Sequence, residues 1–212
     1  MNDTAPADPP DPEAINKRTR GYIPHWEQRG AAYFITFRLA DSLPREVREA
    51  YEAERQTLLA RIQAQGRQVT PGEKQRLEAF CRARIQRFLD TGAGACSLRN
   101  AVIAEYVAGA LRFFDGTRYR LHAWCIMPNH VHILMEQLGD ASLPDILHSW
   151  KSYTAHKAQK LLGSKGVFWE REYYDRLIRD ERDFWQVVTY IVQNPMKANL
   201  EHWPWVEAPV LL

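Results

Sequence analysis

Residues 121–136 read LHAWCIMPNHVHILME, two strand-like runs separated by the turn Pro128-Asn129. Successive side chains of a strand point to opposite faces, so His130 and His132 share one face of the second run, while Val131, Ile133 and Met135 take the other. Two neutral imidazoles about 7 Å apart along an extended backbone can converge on one divalent ion when a third ligand comes from elsewhere. The hairpin therefore predicts a metal site, although a pair of half-exposed surface histidines would give the same pattern.

The composition fits an ordinary folded domain. The 212 residues are 45% hydrophobic and 11% aromatic, which is enough to build a packed core. The 28 basic and 26 acidic residues leave a net charge of only +2. Any affinity for nucleic acid must therefore come from a local arrangement of charge and not from the bulk balance.

Cysteine usage and hydropathy indicate a reducing, aqueous compartment. Cys81, Cys96 and Cys125 are odd in number and form no Cys-x-x-Cys pair, which argues against a disulfide framework or a cysteine-rich zinc site. No segment approaches the roughly 18 consecutive apolar residues of a membrane helix, and the N-terminus has no apolar signal core. We therefore expect a cytoplasmic protein with no membrane partner.

The pattern divides the chain into a short leader and one domain. Residues 1–19 are polar and interrupted by prolines, so we expect a mobile leader followed by a single domain over 20–212. Apolar residues alternate over 33–39 and predict a first strand. Apolar residues at helical spacing over about 45–96 then predict a helical insertion, whose role the pattern does not define.

Helical stripes also flank the strand hairpin. Apolar spacing predicts one helix before it, over about 103–114, and one after it, over about 143–161. A last helix is predicted to begin near Asp180, whose carboxylate caps it, and to stop before Pro195, whose ring disfavours a helical conformation in the preceding residue. This order of elements predicts an α+β fold, with one antiparallel sheet and helices packed on one face.

The last predicted helix places two polar side chains beside its apolar face. Tyr190 and Asn194 lie one turn apart on the flank, so a phenol and a carboxamide oxygen can point into the same small volume. That arrangement would join a nucleophile to a metal ligand. A tyrosine at the core margin and an asparagine that ends a helix would give the same spacing. The apolar face itself comprises Phe184, Val187, Val188 and Ile191.

Six pieces of the chain, taken in order, resemble the HUH single-strand DNA transposases, and among them the REP-associated tyrosine transposases. Such a series is far more specific than any one of its members. The resemblance implies a ferredoxin-like, RRM-like core that carries the 45–96 insertion. The pieces are residues 20–25 (RGYIPH) with 33–39 (YFITFRL), 127–132 (MPNHVH), 150–154 (WKSYT), 173–180 (YYDRLIRD), 190–198 (YIVQNPMKA) and 203–205 (WPW).

The resemblance also implies the roles of the site residues. In this family the two histidines and a polar residue one turn after the tyrosine bind a divalent ion, and the tyrosine is the nucleophile. Carried over, His130, His132 and Asn194 are the metal ligands and Tyr190 is the nucleophile. The family favours Mg²⁺ or Mn²⁺, although two imidazoles would also accept Zn²⁺ or Ni²⁺.

The reaction implied by the resemblance is cleavage and rejoining of DNA. Attack by the tyrosine gives a 5′-phosphotyrosine and a free 3′-OH, and the reverse attack rejoins strands without ATP. The implied substrate is single-stranded or hairpin DNA from repetitive extragenic palindromes. We therefore expect a nucleoid-associated enzyme that acts as a monomer or a homodimer.

Basic and aromatic side chains are candidates for contact with that DNA. Cations interleaved with aromatic rings near the N-terminus suit phosphate contacts and stacking on unpaired bases, and further cations farther along could line a single strand. Each is equally compatible with an ordinary charged surface. The candidates are Arg18, Arg20, Tyr22, His25, Trp26, Lys151, Arg176 and Arg179.

Two other functions remain open from the residues alone. A non-catalytic nucleic-acid-binding module on the same fold would need stacking aromatics on the strand face where His130 and His132 stand. A metal-dependent hydrolase would use the two histidines with an activated water and would not need Tyr190. Formation of a covalent protein–DNA adduct separates these functions from a tyrosine transposase.

Other tyrosines compete with Tyr190 for the role of nucleophile. Tyr153 has the helical spacing of a buried stripe, which predicts a packing role. Only one of the adjacent Tyr173 and Tyr174 can face the site if their segment is extended. Glu136 shares the histidine face and is interpreted as a surface carboxylate rather than a group that supports the site.

Overall fold

An N-terminal hairpin precedes the main sheet. The structure, a computed structural model, describes residues 16–20, 23–27, 30–64, 66, 70, 72–73 and 84–209. Strand β1 (Asn16–Arg20) pairs antiparallel with β2 (Ile23–Glu27). Residues 16–19 of the predicted leader are therefore in a strand. Pairing with β2 provides partners for their backbone N–H and C=O groups, and this needs no alternation of apolar residues that the sequence would reveal. The earlier residues of the predicted leader, 1–15, lie outside the described residues.

A five-stranded antiparallel sheet forms the centre of the domain, in the order β6-β3-β5-β4-β7. Leaving out the N-terminal hairpin, the first four strands of this sheet along the chain and the helices between them follow the βαββαβ connectivity of ferredoxin-like folds. The predicted α+β class with an antiparallel sheet is confirmed. The strands are β3 (Ala32–Arg38), β4 (Tyr119–Ile126), β5 (His130–Gln137), β6 (Tyr174–Leu177) and β7 (Val206–Glu207).

The helices begin at polar caps. The side chains of Asn100, Ser142 and Asp180 accept hydrogen bonds from backbone N–H groups in the first turns of their helices. No helix in the described part of the chain is both long and apolar enough to cross a membrane. The helices are α1 (Arg45–Ala64), α2 (Ala101–Phe113), α3 (Leu143–Leu162) and α4 (Glu181–Lys197), and a further helical segment runs over 84–90.

Helices α2 and α3 pack on one face of the sheet. Val131, Ile133 and Met135 of β5 are fully buried there, which confirms that these three residues share the face opposite the histidines. Trp150 of α3 is buried on this face, and its indole N–H donates to the hydroxyl of Tyr119 at 2.8 Å. The sequence predicted helices on one face of the sheet without specifying which helices lie there.

Helix α4 covers the opposite face, which the sequence did not assign to a helix. Its apolar residues Val187, Val188 and Ile191 pack against β3, β4 and β5, including Phe34 and Leu134. Leu134 lies two residues after His132 on the same strand face. The histidines therefore face a helix and not solvent.

The last helix begins as predicted at Asp180 but does not stop before Pro195. It continues to Lys197 with the proline inside it, and the prediction of an earlier end was wrong. A proline in the last turn of a helix removes only one N–H donor, and the backbone N–H groups that follow it can still form their hydrogen bonds. The N–H of Ala198 donates to the carbonyl of Asn194 at 3.1 Å, and that of Leu200 donates to Pro195 at 2.8 Å. Asn194 consequently stays helical, one turn after Tyr190.

Candidate metal and nucleophile site

His130 and His132 form a closely spaced buried pair. Both side chains are 0% exposed, and their Nε2 atoms lie 3.0 Å apart. Burial disfavours the charged imidazolium, so the pKa of His130 falls to about 3 and that of His132 falls well below its usual value. Both imidazoles are therefore neutral at neutral pH, which is the form that binds a metal ion.

Asn129 fixes the tautomer of His130. Its amide nitrogen donates to the carbonyls of Leu89, at 3.2 Å, and Ala93, at 2.9 Å. Its oxygen therefore faces Nδ1 of His130, at 2.7 Å, and can only accept a hydrogen bond. Nδ1 of His130 carries the proton, and Nε2 presents a lone pair toward His132.

The contact with Thr36 is compatible with either tautomer of His132. The hydroxyl of Thr36 lies 2.8 Å from Nδ1 of His132, and a hydroxyl can either donate or accept. When Nδ1 donates to Thr36, Nε2 of His132 is also bare. The pair can then present two lone pairs 3.0 Å apart, an arrangement that is repulsive unless a positive group lies between them.

Helix α4 brings Tyr190 and Asn194 to this pair. The Tyr190 ring lies 5.3 Å from the ring of His132 and 5.7 Å from that of Phe34, measured between centroids. Asn194 is 2% exposed, its amide nitrogen donates to the Tyr190 carbonyl at 2.8 Å, and its side chain is near enough to His132 to offset part of the lowering of that pKa. The four residues that the sequence nominated therefore lie together.

The third ligand for a metal ion must come from an amide. Within the described residues, no three His, Cys, Asp or Glu side chains cluster as a metal site would require. The carboxamide of Asn194 lies close enough to His132 and Tyr190 to affect the pKa of each, so its oxygen is a candidate ligand beside the imidazole pair. Two neutral imidazole nitrogens and one amide oxygen form a mixed donor set that Mg²⁺ or Mn²⁺ tolerates.

Tyr190 is held as a neutral phenol. Burial raises its pKa to about 12, and the charge of Asp90 acts in the same direction, whereas a hydrogen bond from Asn194 lowers it. The ammonium of Lys197 lies 5.3 Å from the centre of the tyrosine ring. Attack by this oxygen at neutral pH therefore requires positive charge close to the reacting atoms.

The sequence did not nominate Gln86 and Asp90, which approach the site from the helical segment 84–90. Nε2 of Gln86 lies 3.4 Å from Nε2 of both His130 and His132, and it donates to Oδ1 of Asp90 at 2.7 Å. Both residues belong to the predicted insertion. No local pattern could pair them with histidines more than 40 positions later, since polar residues one turn apart are common on any helix.

Four of the DNA-contact candidates near the N-terminus lie in the first hairpin, Arg18 and Arg20 in β1 and His25 and Trp26 in β2. The side chains of Arg18, Arg20, Tyr22, His25 and Trp26 lie outside the described part of the structure. Lys151 is described, and it is not near the imidazole pair. It lies on α3, on the opposite face of the sheet, and its ammonium donates to the carbonyls of Glu170, at 2.6 Å, and Arg171, at 2.9 Å.

Arg176 and Arg179 flank the start of α4. The guanidinium of Arg176 pairs with Asp183 at 2.5 Å, which lowers the pKa of that carboxyl. Arg176 is therefore committed to holding β6 against α4. Arg179 is exposed, and its backbone N–H donates to Asp183 at 3.1 Å. Of the two, Arg179 has the side chain that is more available for a phosphate.

Tyr153, the first of the competing tyrosines, is separated from the site. Tyr153 is 49% exposed, so the prediction that it packs in the core was wrong. Beyond Trp150 the buried line of α3 follows Thr154 and Ala158, because the indole of Trp169 donates to the Thr154 hydroxyl and closes that side. Tyr153 is left on the outer flank.

Tyr173 and Tyr174 lie on opposite faces, as expected for an extended segment. Tyr173 packs with α2 and α3, whereas Tyr174 packs on the α4 face, against Phe34. Glu136 lies on the histidine face but contacts Arg120 at 3.4 Å and His122 at 3.5 Å. It is engaged with these surface partners, in agreement with its interpretation as a surface carboxylate.

Comparison with known families identifies the region that contains the site. Residues 98–194 match the model of the family described as "Transposase IS200 like". A Haemophilus influenzae protein described as a candidate REP-associated tyrosine transposase is 28% identical over 98 residues, covering 39% of this chain and 55% of that protein. An uncharacterised protein of the same organism is 30% identical over 101 residues, covering 36% and 54%. The chain thus spans about half the length of these curated relatives.

Two solved structures are also similar. A REP-associated tyrosine transposase bound to a REP hairpin has 16% identity and a TM-score of 0.48, over 90% of this chain and 81% of that one. A candidate transposase from Deinococcus radiodurans has 14% identity and a TM-score of 0.32, over 84% and 98%. The resemblance inferred from the sequence motifs is confirmed by the family and relative matches.

Proposed function

Because residues 98–194 match the IS200-like transposases, we propose that the protein is a REP-associated tyrosine transposase that cleaves and rejoins single-stranded or hairpin DNA. One observation supports this most strongly. His130, His132 and Asn194 converge beside Tyr190, so a phenol oxygen and a candidate metal-binding donor set share one buried volume. A hydrolase would have no use for the tyrosine.

The donor set fits the divalent ion that the family implies. The tautomer of His130 leaves a bare nitrogen, Thr36 permits the same at His132, and Asn194 supplies an oxygen. A bound Mg²⁺ or Mn²⁺ would supply positive charge to a scissile phosphate. The orientation of these three side chains is therefore the contribution of the protein to metal binding.

Tyr190 is the nucleophile in the proposed reaction. Its oxygen attacks the scissile phosphorus, the bond from phosphorus to the 3′-oxygen breaks, and the phenol loses a proton while the leaving oxygen gains one. The products are a 5′-phosphotyrosine and a free 3′-OH. The edge of the Phe34 ring fixes the orientation of the phenol, and Lys197 favours the developing phenolate. Attack by a 3′-OH on the same phosphorus reverses the step and joins strands.

The position of a DNA label tests this proposal. A single-stranded hairpin oligonucleotide is incubated with protein and Mn²⁺, in one reaction labelled at the 3′ end and in another at the 5′ end. The protein keeps the 5′ phosphate of the downstream fragment, so the 3′ label should migrate with denatured protein and the 5′ label should appear on a shorter free strand. EDTA should abolish both products.

Other outcomes identify the alternatives. Cleavage with neither label attached to protein would indicate a metal-dependent hydrolase. Binding of the hairpin without cleavage would indicate a nucleic-acid-binding module. A 5′ label attached to protein would reverse the proposed polarity of the covalent bond. Since genomic hairpins of the host are the expected substrates, a scrambled oligonucleotide of equal length serves as the matched control.

A further inference from the structure

Three side-chain nitrogens form a small triangle at the site. The two histidine Nε2 atoms are 3.0 Å apart, and Nε2 of Gln86 is 3.4 Å from each. Donor atoms around one cation at bond lengths near 2.1 Å are separated by about 3.0 Å at octahedral angles and by about 3.4 Å at tetrahedral angles. The amide of Gln86 therefore stands where a further ligand of the same ion would stand.

We propose that Gln86, in the helical segment 84–90, is a fourth protein ligand of the divalent ion, together with His130, His132 and Asn194. This inference rests on the metal-dependent function proposed above. A half-turn of the terminal amide exchanges its nitrogen and oxygen and leaves the rest of the side chain in place. The oxygen of Gln86 then takes the present place of the nitrogen, 3.4 Å from both imidazole nitrogens, and the hydrogen bond from that nitrogen to Asp90 is lost.

The segment that holds Gln86 is anchored to the histidine strand. Asn129, which fixes the tautomer of His130, donates to the carbonyl of Leu89 at 3.2 Å. Leu89 is 3% exposed. The chain after the segment is held close to β3, since a Cβ on Gly94 would lie 2.6 Å from the carbonyl oxygen of Asp41. Gln86 is therefore placed by buried contacts and not by an exposed loop.

Asp90 gives the proposed ligand set its negative charge. Two imidazoles and two amides are neutral, and a buried divalent ion among neutral donors is poorly compensated. Oδ1 of Asp90 lies 2.7 Å from the amide nitrogen of Gln86, one helical turn away. After the half-turn this carboxylate oxygen faces the amide oxygen of Gln86, a contact that is repulsive in the metal-free protein and becomes favourable when a cation lies beside both oxygens. In this proposal, segment 84–90 of the predicted insertion contributes a ligand and a nearby carboxylate to the metal site.

Direct Mn²⁺ binding to DNA-free protein tests the inference. The free Mn²⁺ signal in electron paramagnetic resonance is titrated for wild type and for Gln86→Ala, Gln86→Glu and Gln186→Ala. Loss of a ligand should weaken Mn²⁺ binding by Gln86→Ala about tenfold or more, and Gln86→Glu should restore or exceed wild-type affinity. Gln186 is exposed on α4, so its variant should bind as wild type does.

Each result separates this inference from the proposed reaction. Equal or tighter Mn²⁺ binding by folded Gln86→Ala would overturn the ligand role and would make Gln86 a group that the ion displaces. Absence of Mn²⁺ binding by wild type would overturn it as well. Dependence of Mn²⁺ binding on Gln86, in a protein that forms no DNA adduct, would support the ligand role while rejecting the transposase reaction. If Gln86→Ala does not fold, weaker binding by folded Gln86→Glu overturns the role and retained binding supports it.

Discussion

The hydroxyl of Thr36 lies 2.8 Å from Nδ1 of His132, across the pairing of β3 with β5. When this hydroxyl accepts from Nδ1–H, Nε2 of His132 is free to bind a metal ion. An oxygen that accepts from Nδ1–H orients Nε2 toward His130 and raises its basicity, as partners of metal-binding imidazoles commonly do. The strand register that pairs Thr36 with His132 thus supports the proposed metal site.

Thr36→Val should weaken metal binding with little effect on the fold. Valine has a similar shape but cannot accept from Nδ1–H, so we expect Mn²⁺ affinity to fall about 10- to 100-fold. Loss of one hydrogen bond should cost about 1 kcal/mol of unfolding free energy. Thr36→Ser should retain most of the affinity. Thr189→Val, which removes an exposed hydroxyl on α4, is the control, and equal affinities for the two valine variants would reject the role.

Tyr190→Phe should abolish the covalent adduct and cleavage while leaving hairpin binding within a few-fold of wild type. The substitution removes one oxygen and keeps the ring that packs on Phe34 and His132. Tyr153→Phe, on exposed α3 surface, should cleave normally. Labelled-DNA gels and a binding titration measure the two effects. Adduct formation by Tyr190→Phe would place the nucleophile elsewhere.

The strand hairpin and the histidine face could be predicted because they depend on local alternation. Side chains two positions apart on a strand share a face whatever packs against it, so His130 and His132 were placed together before any helix was known. Asp180 was predicted as a cap for the same reason, since capping involves only the next three residues. The link from Tyr190 to the histidines came from a family resemblance and not from periodicity.

The remaining features depend on contacts between distant segments. Pro195 continues its helix because packing of α4 on the sheet outweighs the loss of one backbone donor, which local rules about proline do not include. Tyr153 has the spacing of a buried stripe but lies on the outer flank of α3, beside the buried line of Thr154 and Ala158. Gln86 reaches the site through an anchored segment of the insertion, and a single sequence contains no signal for such an approach.

The unfolding free energy of metal-free protein should fall as pH decreases through about 6.5. Both histidines have pKa values lowered by burial, so the unfolded chain binds protons that the folded chain excludes. Their contribution is complete above about pH 6.5 and is lost progressively toward the folded pKa, which for His130 is about 3. At pH 5, protonation of His130 in the unfolded chain alone should lower the unfolding free energy by about 2 kcal/mol relative to neutral pH.

Urea unfolding in EDTA at pH 7.5 and pH 5 measures this dependence. A variant with His130→Gln and His132→Gln should lose less stability between the two pH values than wild type does. His148→Gln, at an exposed position on α3, should behave as wild type. The comparison between variants removes the contribution of carboxyl groups that titrate in the same range. Parallel losses in all three proteins would contradict the buried, neutral state of the histidine pair.

Different substitutions of Asn194 should affect metal binding and the nucleophile to different extents. Asn194→Ala removes the proposed ligand oxygen and the donor to the Tyr190 carbonyl at 2.8 Å, so half-maximal cleavage should need about tenfold more Mn²⁺. Asn194→Asp keeps an oxygen but places a negative charge beside the phenol, whose pKa it should raise further. We therefore expect near-normal Mn²⁺ binding and slower cleavage from Asn194→Asp.

The alternative for Asn194 is that it only supports the end of α4. In that case Asn194→Ala should cost about 1 kcal/mol of unfolding free energy and leave the Mn²⁺ requirement unchanged. Gln193→Ala, an exposed neighbour on the same helix, controls for helix propensity. An Mn²⁺ titration of folded Asn194→Ala that matches both wild type and Gln193→Ala would exclude the ligand role. A shifted midpoint in Asn194→Ala, with recovery in Asn194→Asp, would establish that one helix delivers both the nucleophile and a ligand.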